Sequence, residues 1–181
     1  MNVTLLHTAY GLTPGTRAFA EQLAAASGGE LTMPDFYRGE IFTDQDSAMG
    51  HLEKVGYMEL YSRLDGLDVT DQILVGTSLG ASFAQRMVTQ GAKPARLVLI
   101  GNVNPHKPER PWPGVDTQVH HFTQDTFVDP ALVATLGQAV TASGARFEHV
   151  PTEGPGHLFF EPRLPEYDPD LTARTIQQIV S

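Results

Sequence analysis

The sequence predicts an α/β protein: a mostly parallel sheet of about six strands, with helices on both faces. Two observations carry that reading. The strand-like segments are short and almost wholly apolar, the clearest being Gln72-Ile73-Leu74-Val75-Gly76 and Arg96-Leu97-Val98-Leu99-Ile100. A run without a polar face belongs to a strand covered on both sides. Helical patterns alternate with these runs along the chain, and parallel neighbours need such crossovers.

The elements follow in order. Val3-Thr4-Leu5-Leu6-His7 is the first strand. Thr13-Pro14 supplies a helix cap with proline at the first helical position, and Phe19, Leu23 and the alanines carry the helix to Gly28-Gly29. Residues 30–33 are a weaker strand, closed by Pro34-Asp35. From Asp46 a longer helical pattern uses Met49, Leu52, Val55 and Leu64 as far as Gly66, although Gly56 inside it weakens the case for one unbroken helix. The strand at 72–76 leads into a helix over 79–89, the strand at 96–100 follows, and another runs over 117–122. Asp129-Pro130 caps a helix reaching Ser143-Gly144; the last strand covers 145–150 and the final helix 171–180. Residues 104–114 hold four prolines and the only tryptophan, Trp112, and predict a stiff, irregular loop on the side where the strands end.

Composition narrows the function. The 181 residues suit one domain, 1–181, and 41% hydrophobic content is enough to fill its core. With 12 Lys and Arg against 21 Asp and Glu, the net charge of −9 argues against a nucleic-acid partner, which needs clustered cations. The absence of cysteine excludes a disulfide framework, a thiolate metal site and a cysteine nucleophile. No apolar run is long enough to span a bilayer, and Met1-Asn2-Val3 leads directly into strand-like sequence, so the expectation is a cytoplasmic protein without a membrane partner. No G-x-G-x-x-G or G-x-x-x-x-G-K-[ST] occurs, and no His and carboxylate cluster has usable metal spacing, so neither a cofactor nor a metal is expected.

Gly76-Thr77-Ser78-Leu79-Gly80 matches G-x-S-x-G between a buried strand and a helix. In that setting a serine sits on a strained turn that lifts its hydroxyl above the sheet edge, and glycines two before and two after relieve the crowding. The competing reading is a serine that only caps the helix starting at Leu79. A serine nucleophile needs a base, and the base needs an orienting acid; on this architecture the order is Ser, acid, His. After the fifth strand come Asp125 and Asp129. Asp129 precedes a proline and a helix and suits a cap, so Asp125 is preferred as the acid, with a solvated turn as its alternative. His157 lies in the glycine-rich loop after the last strand and alone among seven histidines has the expected order and strand end. His7 closes the first strand and suits a supporting role. Tyr10, Tyr37, Trp112 and Phe159, with Phe160, are candidate pocket walls, and ordinary core packing explains each equally well.

Five stretches together resemble the dienelactone hydrolase family of the α/β-hydrolase superfamily: residues 6–13 (LHTAYGLT), 33–39 (MPDFYRG), 76–80 (GTSLG), 124–128 (QDTFV) and 156–159 (GHLF). The resemblance implies an α/β-hydrolase fold without a separate cap domain, Ser78 as nucleophile, His157 as base and Asp125 as its orienter. It also implies an oxyanion hole from the backbone N–H groups of Leu79 and Ala9. The chain departs from the family in three places. Ser78 stands where dienelactone hydrolases have cysteine, Thr8 where they have a glutamate, and Glu161 at about the position of an arginine that binds the substrate carboxylate. The first strand corresponds to the family's third. The expected function is a serine hydrolase acting on a small ester or lactone, as a monomer or homodimer; the alternative is a non-catalytic small-molecule binding protein of the same fold.

Overall fold

A computed structural model describes residues 1–181. Six strands, β1 (Val3–Leu6), β2 (Leu31–Thr32), β3 (Ile73–Thr77), β4 (Arg96–Ile100), β5 (Asp116–Phe122) and β6 (Phe147–Thr152), form one sheet in the order β2-β1-β3-β4-β5-β6. Every neighbouring pair is parallel. The period of two sorts the strand side chains cleanly. Leu74, Leu97, Leu99 and Val119 face one cluster, which also takes in Phe83, Ala84, Val133 and Leu136 from helices α4 (Leu79–Thr89) and α5 (Pro130–Ala142). Ile73, Val75, Val98 and Ile100 face the other, covered by α1 (Pro14–Ser27) and α6 (Pro169–Val180) through Phe19, Leu23, Ile176 and Ile179. The sheet edge carries no separate cap domain.

Local chemistry sets the boundaries. Thr13, Asp129 and Asp168 each accept a backbone N–H at the start of α1, α5 and α6, and each helix begins with proline. The helical pattern from Asp46 is interrupted as Gly56 allows: α2 (Gln45–Val55) and α3 (Tyr57–Ser62) meet at this residue, whose φ of 91° is not helical. The last strand begins and ends two residues later than 145–150. Arg146 turns its amide to the Asp116 side chain before β6 starts, and β6 is an edge strand, where Pro151 costs no central ladder bond.

The strand order reverses between β1 and β3. The chain leaves β1 toward one edge, through α1 to β2, and then crosses back to build β3 to β6 on the other side. The carboxyl ends of β1 and β3 therefore open a crevice at a topological switch point, where ligands bind in open α/β sheets.

Candidate active site

Ser78 follows β3 at that crevice. Its φ of 52° and ψ of −111° put a side chain in a backbone region that ordinary residues avoid. The flanking glycines are required by contact. A Cβ on Gly80 would overlap the carbonyl of Leu6, and one on Gly76 would lie 2.5 Å from Ala81 Cα. Although Ser78 occupies the cap position of α4, its side chain makes no capping bond. Its hydroxyl meets His157 Nε2 at 2.8 Å instead, which disposes of the capping alternative.

His157 Nδ1 lies 2.8 Å from Asp125 Oδ2. An ionised carboxylate can only accept, so Nδ1–H donates to Asp125 and Nε2 is left to accept the Ser78 O–H. The Asp125 carboxyl is 1% exposed, and its Oδ1 accepts the Phe127 amide at 2.9 Å, fixing the turn beyond β5. Asp129 caps α5, accepting from the Ala131 amide at 2.8 Å, so the two aspartates have separate tasks. Two neighbours crowd the imidazole. Phe127 stands 4.7 Å from it, ring centre to ring centre, and the bare Cα of Gly101 (φ 73°, just past β4) leaves the space it occupies.

The two amides named for the oxyanion hole flank this serine. Leu79 is the first residue of α4, so its N–H has no acceptor within the helix. In the turn after β1, Thr8 Oγ1 accepts from Tyr10 and the Thr8 carbonyl from Gly11, and the Ala9 N–H between them has no protein acceptor. His7 holds that turn. It stacks on Phe36, its Nδ1–H donates to the Thr8 carbonyl at 2.8 Å, and burial pushes its pKa down to about 4, so it stays neutral.

A cavity of about 210 Å³ opens over Ser78, lined by Ala9, Tyr10, Gln45, Ala48, Met49, Ser78, Phe127, His157, Leu164 and Glu166. Of the five aromatic walls expected from sequence, only Tyr10 is here. Tyr37 is buried beneath the site against His7, Phe36 and His51, and burial raises its phenol to about 12. Phe159 packs with Phe19, Phe122 and Phe160 under α1. Trp112 bonds to the Val115 carbonyl and borders a separate groove of about 660 Å³ against α5, which holds neither Ser78 nor His157. The proline-rich loop is anchored to α4 through Asn104, Ser82 and Gln85, away from the serine.

Glu166, Phe127, Met49 and Gly101 are site residues that sequence reasoning passed over. Phe127 falls within residues 124–128, two residues beyond Asp125, and Met49 on the apolar face of α2. Both remain exposed, at 48% and 36%, because that apolar surface borders the cavity. Glu166 carried no comparable signal. No group of three His, Cys, Asp or Glu side chains is arranged to hold a metal, and no helix is long and apolar enough to cross a membrane.

No protein-family model matches the chain, and no curated protein matches its sequence. Solved structures do match. A dienelactone hydrolase-like promiscuous phosphotriesterase from metagenomic libraries superposes with a TM-score of 0.79 at 16% identity, over 99% of this chain and 83% of that one. A Klebsiella pneumoniae protein described as a dienelactone hydrolase gives 0.71 at 17% identity, over 98% and 83%. The thioesterase domain from the curacin biosynthetic pathway gives 0.65 at 14% identity, over 99% and 90%. The chain therefore has the α/β-hydrolase fold, in the form seen in dienelactone hydrolase-like structures.

Proposed function

We propose that the protein is a serine hydrolase that cleaves a small ester or lactone through an acyl-enzyme on Ser78. One observation carries this: the unbroken hydrogen-bonded chain from Ser78 Oγ to His157 to the buried Asp125, with both links at 2.8 Å. In the reaction Ser78 Oγ attacks the ester carbonyl while His157 Nε2 takes its proton. The tetrahedral oxygen is held by the Leu79 and Ala9 amides, and collapse expels the alcohol, which receives the proton from His157. Water then attacks the acyl-enzyme with His157 again as base, releasing the acid and restoring the Ser78 hydroxyl. Asp125 keeps the imidazole in the working tautomer and stabilises its protonated form. A single oxyanion donor is worth about 3–4 kcal/mol of transition-state stabilisation in a comparable hydrolase. Two backbone donors free of other acceptors therefore matter as much as the base. The small cavity supports a small substrate.

Steady-state and burst kinetics with p-nitrophenyl acetate test the reading. The expected result is turnover by the native protein, with an initial burst if deacylation is the slower step, and none above background for Ser78→Ala. Equal turnover by both proteins would refute it.

A further inference from the structure

Glu166 places a carboxylate in the Ser78 cavity that the proposed reaction does not use. Its Oε1 accepts the backbone amides of His157 at 3.0 Å and Leu158 at 3.2 Å, so the side chain is pinned to the loop that carries the base. Oε2 takes no donor from the protein. No Lys or Arg lines the cavity. Arg163, the nearest cation in sequence, is bonded to the buried Glu161 at 3.0 Å and to the Phe42 carbonyl at 3.1 Å. Glu161 in turn is tied to Thr13 at the start of α1. Arg163 thus uses its Nε and Nη1 on the protein, its guanidinium lies 5.7 Å from the centre of the Tyr10 ring, and it is not among the residues lining the cavity. Met49, Phe127, Leu164 and the Tyr10 ring give the cavity apolar surface, Gln45 adds an uncharged amide, and Glu166 is the one carboxylate among its walls. The Tyr10 phenol feels it: burial first, then the Glu166 charge, holds that hydroxyl above its ordinary pKa.

We propose that this cavity selects small esters bearing a cationic group, tolerates uncharged ones and excludes those bearing a carboxylate, with Glu166 as the specificity-determining residue. The inference rests on the hydrolase reading of Ser78 and names its substrate class. An alkylammonium group combines a positive charge with an apolar outline, which is the combination these walls offer. Two unit charges roughly 6 Å apart at an effective dielectric of about 20 to 40 change a rate by about tenfold to a hundredfold.

The experiment compares three thioacetates of similar size: acetylthiocholine, its uncharged 3,3-dimethylbutyl analogue, and S-acetyl-3-mercaptopropionate. For the native protein kcat/KM is expected to favour the cation over the uncharged ester by about tenfold to a hundredfold, and the uncharged ester over the anion by a similar factor, so the cation-to-anion ratio is about a hundredfold to ten-thousandfold. In Glu166→Gln, whose amide oxygen can still accept the two backbone bonds, that ratio collapses toward unity. If Glu166 only braces the His157 loop, all three substrates slow in proportion and the ratio survives, which overturns the proposal. Absence of turnover with every substrate would count against the hydrolase reading instead. Selectivity is then judged without catalysis, by calorimetric titration of Ser78→Ala with choline and with 3-hydroxypropionate. Tighter binding of choline supports the proposal, and equal or reversed affinities overturn it.

Discussion

Gly101→Ala tests the packing that holds the imidazole in place, because the substitution adds one methyl group at a position that touches no proposed reacting atom except through His157. The new Cβ would stand 2.9 Å from His157 Cε1 and 3.1 Å from Nδ1. Ordinary carbon contacts lie at about 3.5–4.0 Å, so the ring must retreat by roughly 0.6 Å or more. Its bonds to Ser78 and Asp125 are both 2.8 Å. Hydrogen bonds of this kind tolerate only about 0.4 Å of stretch before leaving the useful range. Misplacing a catalytic group on this scale costs about a hundredfold, and that is the fall in kcat/KM expected with p-nitrophenyl acetate. The backbone adds a separate penalty, since an L side chain at a φ of 73° costs about 1–2 kcal/mol. Gly66→Ala isolates that penalty: its φ is 82° and nothing lies within 4 Å of the added methyl. Urea unfolding should show a loss of stability in both variants, larger in Gly101→Ala where displacement of the ring adds to the backbone penalty, while only Gly101→Ala loses activity. Activity of Gly101→Ala within about threefold of the native protein would refute the reasoning.

Asp125→Asn should lower kcat by about 10⁴-fold by favouring the wrong imidazole tautomer. Asp129→Ala should instead lose about 1 kcal/mol of stability with its cap and keep its activity, as parallel kinetics and urea titrations will show. Gly80→Ala should fail to yield a native circular dichroism spectrum, because its Cβ would overlap the Leu6 carbonyl and drive α4 off β1. Acid should destabilise the fold through His7 and His120, which burial holds at about 4 when folded. In the unfolded chain they take up protons near pH 6.5, so the unfolded state binds more protons between the two values. Unfolding free energy should therefore fall as pH drops from about 6.5 toward 4, by up to ~1.4 kcal/mol per pH unit for each histidine. Urea midpoints that stay level between pH 7 and 5 would contradict this.

Parts of the site were legible because their causes are local. The glycines around Ser78 are forced by contacts of the turn with the neighbouring strand, and such crowding leaves a mark in sequence. His157 and Asp125 were legible from their places at strand ends, and the fold from unbroken apolar strands alternating with helices. Other features depend on long-range packing, which composition does not encode. Tyr37 and Phe159 are aromatic residues near site segments, yet the chain path turns one against His7 and the other under α1. Glu166 acquires its position from two amides in a loop eight and nine residues away. Gly101 serves a histidine 56 residues further on. The shift of β6 has a similar origin: an edge strand admits Pro151, and only the sheet order reveals that β6 is an edge.

Labelling with a fluorophosphonate tests the central claim most directly, since the reagent traps an activated serine without presuming a substrate. At neutral pH the folded protein should gain one phosphonyl group, located at Ser78 by peptide mass analysis. His157→Ala and protein unfolded in urea should gain none. A folded native protein that leaves Ser78 unlabelled, or a label that persists without His157, would contradict the account.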